Sequence, residues 1–158
     1  MAEERPELIF VARNRKARHD YEIEDTIEAG IELRGSEVKS IREGKINLSD
    51  SYALIERGQV ILKNFHITPY KMSNESLDPI RDRRLLLHKK EIRKLAIKTD
   101  QKGMSLIPLA VYFKGRNCKV ELGLGFGRKK YDKRAAISEA DAKRRINRAI
   151  RLDVKQKR

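Results

Sequence analysis

Apolar and polar residues alternate through several short stretches of the first 127 residues. The clearest is YEIEDTIEAGIEL, residues 21–33, in which apolar residues fall on one side and charged residues mostly on the other. This period of two predicts a β-strand with one buried face. Residues 51–69 predict two further strands joined at Arg57-Gly58, and residues 105–126 predict a hairpin around KGRN.

Three short helices are predicted among the strands. Asn14 can cap a basic helix in NRKARHD, and Ser36 can cap SEVKSIRE, which Gly44 ends. The third helix ends at Gly103, and one face of it, at 3.6-residue spacing, carries Leu85, His88, Ile92, Leu95, Ala96 and Thr99.

The stretch before the third helix, residues 71–84, has no period and predicts a long loop. Five or six short strands with three short helices predict a mainly β protein, a barrel rather than a layered parallel sheet.

The net charge of the chain indicates a class of binding partner. The 158 residues include 37 Lys and Arg against 23 Asp and Glu, a net charge of +14. From Arg128 onwards, 13 cations face 4 anions. A surplus of this size favours a polyanion, since each neutralised phosphate releases counterions. A merely solvated basic surface is the alternative, and the uneven placement of the charge favours nucleic acid.

The basic tail predicts a segment that is disordered alone and helical on a phosphate surface. Ser138 with Asp141 forms a capping-box pattern, but the apolar stripe of Ala142, Ile146 and Ala149 is too thin to order the tail. Before it, KKYDKR places Tyr131 among cations, where an aromatic ring can stack on an unpaired base. A solvated linker is the alternative.

Catalysis has little support. His19, His66 and His88 lack metal-ligand spacing, and Cys118 is the single cysteine, which excludes an intramolecular disulfide. GLGFG, residues 123–127, ends a strand pattern and is a weak phosphate loop. We therefore expect no enzyme, no cofactor and no metal.

Charge alone does not decide the role of two basic stretches. NRKARHD and DPIRDRRLLLHKK can each be a solvated helix face or turn, or a patch that contacts phosphates. No run approaches the roughly 20 apolar residues of a membrane span, and the acidic start MAEERPELIF is unlike a signal peptide. The sequence predicts a cytoplasmic protein without a membrane partner.

Taken together, the motifs resemble those of the SsrA-binding protein (SmpB) family of bacteria. The resemblance runs from about Asn14 to the C-terminus. Its carriers, in this order and spacing, are NRKARHDY, EAGIELRGSEVKSIREGKINLSDSY, HITPY, DPIRDRRLLLHKKEI, KVELGLG and KKYDKR.

The resemblance implies a fold and a role. The fold is an OB-like antiparallel β-barrel with flanking α-helices: a flexible N-terminus over 1–12, an RNA-binding barrel over 13–127 and a basic C-terminal tail over 128–158. The role is binding the tRNA-like domain of transfer-messenger RNA (tmRNA), as a monomer, and rescuing stalled ribosomes by trans-translation. The tail would probe the empty mRNA channel near the small-subunit decoding centre, after which a degradation tag is added.

The resemblance also implies site residues. The RNA-facing candidates are Asn14, Glu28 and Leu86, and a second set lies in the same motifs: Arg15, Arg18, His19, Lys39, Lys45, Arg83, Arg84, His88 and Lys89. The decoding-centre candidates are Lys129, Lys130, Tyr131, Asp132, Lys133 and Arg134. The tail helix would carry Lys143, Arg144, Arg145, Ile146, Arg148 and Arg151.

Two positions depart from the family pattern, and two rival functions remain. Some members have His where this chain has Tyr131, and Glu22 stands where members often have an aromatic residue. One rival is a general OB-type RNA-binding or ribosomal protein with a basic extension. The other is a small RNA-modifying enzyme, for which we find no nucleophile, base or cofactor loop.

Overall fold

Nine strands and three helices follow one another in a computed structural model, which describes residues 7–74 and 76–128. The strands are β1 Leu8–Arg13, β2 Tyr21–Ile31, β3 Ile46–Asn47, β4 Tyr52–Glu56, β5 Gln59–Lys63, β6 His66–Ile67, β7 Arg83–Leu86, β8 Ser105–Lys114 and β9 Asn117–Gly127. The helices are α1 Arg15–Asp20, α2 Gly35–Arg42 and α3 Lys89–Lys102.

Six strands close into an antiparallel barrel. The sheet order is β1-β8-β4-β5-β7-β2-β9, and β8 also pairs with β9, which closes the ring from β8 to β9 and leaves β1 beside β8. Strand β8 is long enough to share one of its edges, since Leu106 pairs with β4 while residues 110–114 pair with β1. Closure leaves few exposed sheet edges, as in small OB-type barrels. The mainly β, OB-like fold predicted from the sequence is confirmed.

The core fills the barrel and continues beneath α2 and α3. The inward positions of β5 and β8 and most of those of β9 are almost fully buried, and α2 and α3 contribute Ile41 and Leu95 to the same cluster. Apolar side chains that alternate on each strand therefore supply most of the burial that stabilises the barrel.

The turn and cap predictions hold for most of the elements. Arg57 and Gly58 both have positive φ, as a two-residue hairpin turn requires. Asn14 caps α1 by accepting a hydrogen bond from the backbone N–H of Ala17 at 3.1 Å. Helix α3 ends at Gly103.

The structure corrects three predictions. Residues 8–12, predicted as flexible, belong to β1, which pairs antiparallel with β8. Leu85, predicted on a helix, lies in β7, and His88 precedes α3 as its N-cap. Ser36 does not cap α2, because the helix begins at Gly35 after Arg34.

The backbone contacts divide the chain into two units, 1–127 and 128–158. The second unit lies almost entirely outside the described residues. Residues 1–6 of the first unit also lie outside them. In the described part of the chain, no helix is both long and apolar enough to cross a membrane.

Candidate nucleic-acid interface

The outward positions of five strands line up in rows around the wall of the barrel. Strand pairing places Phe10, Tyr112, Lys119, Gly30 and Leu86 in one row across β1, β8, β9, β2 and β7. A second row holds Arg13, Ala110, Glu121 and Glu28. Their neighbours along the strands, such as Ala29, Leu85, Val111 and Val120, point into the core. We call the surface formed by these two rows the outer face.

A groove at one end of the outer face brings three predicted site residues together. Glu28 from β2, Leu86 from β7 and His88 at the start of α3 line an open groove of about 410 Å³. The other lining residues are Gly30, Leu87, Glu91 and Lys119. The groove thus combines an exposed apolar side chain, two carboxylates, an imidazole and an ammonium group, which are kinds of contact that proteins use to bind a nucleotide base and its phosphate.

Glu28 is held as an ionised acceptor. The Tyr112 hydroxyl donates a hydrogen bond to Oε2, and the Lys114 ammonium lies 3.5 Å from Oε1. The hydrogen bond from Tyr112 is the main reason why the pKa of Glu28 lies below its usual range, with Lys114 and Lys119 adding to it against the cost of partial burial. Burial and this same bond raise the pKa of Tyr112, so the phenol remains a donor.

Leu86 lies on the outward side of β7, and Gly30 stands opposite to it. Leu86 is 48% exposed on the outer face, directly across from Gly30 in the β2–β7 pairing. A Cβ atom at Gly30 would lie 3.2 Å from the Leu86 Cβ, tighter than most real contacts. The missing side chain lets Leu86 lie close against β2, beside Glu28 and Lys119.

Two predicted cations, Arg18 and Arg84, lie beside residues of the outer face. Arg18 on α1 reaches to 3.7 Å from Glu121, which pairs with Glu28 across β2 and β9. Arg84 lies on the same side of β7 as Leu86 and binds Glu32 at 2.8 Å. Arg15 and Lys89 are exposed, and His19 lies 3.3 Å from Asp20.

Lys39 and Lys45 lie apart from the groove. The Lys39 ammonium stands 5.4 Å from the centre of the Tyr70 ring, and Lys45 pairs with Glu43 at 3.1 Å. Both are exposed, but no contact between described residues connects them to the groove. The structure therefore does not bring these two candidates together with Glu28 and Leu86.

Asn14 and Arg83 are buried, which does not fit the direct RNA contact predicted for them. Asn14 is 5% exposed, and its amide donates to the carbonyl oxygens of Leu48 at 3.2 Å and Pro108 at 3.0 Å. Arg83 is 1% exposed and is bound to Glu37. Polar groups enclosed and satisfied in this way hold the scaffold together.

The tail candidates lie outside the described residues. These are Lys129, Lys130, Tyr131, Asp132, Lys133 and Arg134 at the predicted decoding-centre contact, and Lys143, Arg144, Arg145, Ile146, Arg148 and Arg151 in the predicted tail helix.

Sequence reasoning missed Lys119, Tyr112 and Gly30. Lys119 lies in a strand pattern, where a single outward lysine is common and does not indicate a site. Tyr112 sits in a run of apolar residues. A signal was available for Lys119, because Lys119 and Glu121 alternate with Val120 and Leu122 along β9, whereas the continuous apolar run of β8 gives none for Tyr112. Among the residues the structure describes, no group of three acidic, His or Cys side chains could hold a metal ion.

Comparison with known proteins gives one consistent match. The family model described as SmpB protein matches residues 11–152. The chain is 57% identical to the SsrA-binding protein of Halothermothrix orenii, over 89% of this chain and 92% of that protein. It is 58% identical to that of Staphylococcus epidermidis (89% and 91%) and 54% identical to that of Clostridium acetobutylicum (96% and 98%).

The comparison with solved structures gives a match to the same family. A chain from the work described as "tmRNA-SmpB: a journey to the center of the bacterial ribosome" superposes with a TM-score of 0.65 at 49% identity. The match covers 80% of this chain and 93% of that chain.

Proposed function

Because this chain belongs to the SmpB family, we propose that it binds the tRNA-like domain of tmRNA through the groove of its outer face. The observation that carries this proposal is that Glu28, Leu86 and His88, which come from separate stretches of the chain, line a single groove. The relatives are named for binding SsrA, and the matching structure is described as tmRNA-SmpB on the ribosome.

The groove and the residues beside it supply two kinds of contact in the proposed binding. Leu86 offers exposed apolar surface to the face of a base, and the ionised Glu28 accepts from base amino groups, which cations cannot do. Lys119 and the neighbouring Arg18, Arg84 and Lys89 supply charge for phosphates. Base contacts of the first kind give selectivity, while phosphate contacts give affinity that falls with salt.

The second part of the proposal concerns the tail, residues 128–158. It would enter the empty mRNA channel of a stalled ribosome, place Tyr131 and its neighbouring cations near the decoding centre, and form a helix there. The charge split of the sequence supports this division, because the tail carries 13 cations against 4 anions. The protein would act in the cytoplasm by binding alone, without catalysing a reaction.

The test compares selectivity at several salt concentrations. The full chain and residues 1–127 are titrated with the tRNA-like domain, with ordinary tRNA as competitor. We expect both proteins to prefer the tRNA-like domain, and Glu28→Gln and Leu86→Ala to reduce this preference. Equal binding of both RNAs, with affinity set only by salt, would identify a general basic RNA-binding protein and contradict the proposal.

A second assay isolates the tail. Tyr131→Ala in the full chain should leave affinity for the tRNA-like domain unchanged and impair tagging of stalled chains on ribosomes. Ile146→Pro should also impair tagging, because a proline inside a helix costs about 3 kcal/mol. If affinity for the RNA fell in step with tagging, the proposed division between barrel and tail would be wrong.

A further inference from the structure

The outer face continues past the groove to the edge strand β1. Phe10 occupies the far end of the row that Leu86 begins, with Tyr112, Lys119 and Gly30 between them. Four strand spacings separate the two ends, about 19 Å along the surface. Phe10 is 42% exposed, so this end of the row is accessible apolar surface like Leu86 at the other end.

A β-bulge places Arg13 over Phe10. Positions three apart on a regular strand point to opposite faces, but the register of β1 shifts between Phe10 and Ala12. Arg13 therefore pairs with Ala110 and Phe10 with Tyr112, two positions on the same side of β8. The Arg13 guanidinium carbon lies 4.2 Å from the centre of the Phe10 ring.

Tyr112 packs against the Phe10 ring that lies under Arg13. The rings of Phe10 and Tyr112 have centroids 5.1 Å apart at an interplanar angle of 40°. Tyr112 is 5% exposed and donates its hydroxyl hydrogen bond to Glu28. One continuous set of contacts thus joins Arg13, Phe10, Tyr112 and Glu28.

A role confined to holding β1 on β8 accounts for Phe10 but not for Arg13. The Phe10–Tyr112 contact by itself is a favourable cross-strand aromatic pair. Arg13, however, is exposed, and none of the carboxylates in the described part of the chain lies within ion-pair distance of it. A guanidinium held over a ring keeps its charge and its other flat side available.

We propose that Arg13, held over Phe10, stacks on an unpaired base of the same RNA that occupies the groove at Glu28 and Leu86. This inference rests on the proposed function, because the RNA that fills the groove must continue across the outer face. An RNA is the occupant that the surface favours, since Arg13, Lys114 and Lys119 lie along this path and outnumber the two carboxylates, Glu28 and Glu121, that share it. Guanidinium planes and aromatic rings are the surfaces on which single-stranded bases stack.

The test measures affinity of full-chain variants for the tRNA-like domain at fixed salt. Loss of one stacked base predicts that Arg13→Ala binds about 5- to 100-fold more weakly. Arg13→Lys keeps the charge but loses the plane, so it should bind nearly as weakly as Arg13→Ala. Phe10→Ala should weaken binding too, by a smaller factor, since Arg13 loses its support.

Two matched controls and one direct readout complete the design. Ile9→Ala removes apolar surface from the same strand, and Arg57→Ala removes one exposed cation at the β4–β5 turn; both should bind like the unaltered chain. Chemical probing of the bound RNA should show a base that the unaltered chain protects and Arg13→Ala leaves reactive.

The outcomes separate this inference from the proposed function. If the unaltered chain does not prefer the tRNA-like domain, the proposed function fails. If the unaltered chain is selective and Leu86→Ala weakens it, but Arg13→Ala binds within about 2-fold of it, only the stacking site is wrong. Full binding by Arg13→Lys, or an unchanged probing pattern with Arg13→Ala, would likewise overturn stacking.

Discussion

The Glu37 carboxylate on α2 is the shared acceptor of two arginines, and its removal should cost the barrel much of its stability. Oε2 accepts from the Nε atoms of Arg81 at 3.1 Å and Arg83 at 2.7 Å, and Oε1 accepts from the backbone N–H of Arg34 at 2.9 Å. Glu37 is 4% exposed and Arg83 is 1% exposed. The change we consider is Glu37→Ala.

The expected loss of stability follows from the contacts that Arg83 keeps after Glu37 is removed. Arg83 would still donate to the carbonyl oxygens of Phe65, Arg81 and Pro79, which keep its guanidinium inside the fold without its ion-pair partner. Removing one partner of a buried ion pair typically costs about 3–5 kcal/mol. Glu37→Gln preserves the packing and one accepting oxygen, so we expect a smaller loss of about 2 kcal/mol.

The pH dependence gives an independent signature. Burial alone would raise the pKa of Glu37, but the hydrogen bonds from Arg81, the Arg34 backbone and Arg83 outweigh it and hold the pKa below its usual range. A carboxyl whose pKa is lower in the folded state stabilises the fold above its ordinary pKa of 4.5. That stabilisation is lost as the pH falls through the folded-state pKa, and Glu37→Ala should lack this part of the acid dependence.

Urea unfolding at neutral and acidic pH measures both effects. Glu24→Ala is the matched control, because Glu24 is an exposed glutamate on β2 and its loss should change the free energy of unfolding by no more than about 0.5 kcal/mol. A Glu37→Ala protein within about 1 kcal/mol of the unaltered chain at neutral pH would contradict the reasoning, since it would mean that Arg83 finds water or another partner at little cost.

Four further predictions test other parts of the structure. Gly125→Ala should destabilise the fold by about 3 kcal/mol or more in urea unfolding, because its Cβ would lie 2.0 Å from the Glu22 carbonyl oxygen. Gly35→Ala, with nothing within 4 Å, should instead stabilise α2 slightly. Burial raises the pKa of the Cys118 thiol to about 12, so alkylation at pH 8 should be slow in the folded chain and fast in denaturant. Tyr112→Phe removes the main cause of the lowered pKa of Glu28, and that pKa should rise toward its usual range in an NMR titration.

The elements that were predictable are those whose signals are local. Strand β2 alternates on both sides of a register shift between Ile23 and Asp25, and the β4–β5 and β8–β9 hairpins have turn residues between two apolar runs. Period and turn chemistry depend only on neighbours in the sequence, so they can be read without knowing the fold. The barrel class followed from counting such strands.

Strand β7 was missed because its stabilising contact is not local. In RRLL, Arg83 points inward and Arg84 outward, so polarity does not mark the buried side. The residue that makes an inward arginine acceptable is Glu37, which is 46 positions away in the chain. A rule that places charged residues outside therefore predicts a loop at the point where the barrel has a strand.

The groove depends on register in the same way. Glu28, Lys119 and Leu86 are neighbours only because β2 pairs with β9 on one side and β7 on the other, with Gly30 across from Leu86. Outward positions of a strand carry no pattern that names the strand beside them, so motif resemblance found Glu28 and Leu86 while Lys119 and Tyr112 went unnoticed. A shift of β7 by one residue would turn Leu86 into the core and Arg83 onto the outer face. The Glu37–Arg83 bond opposes that shift, and we infer that the same contact that stabilises the barrel also keeps the apolar part of the groove exposed.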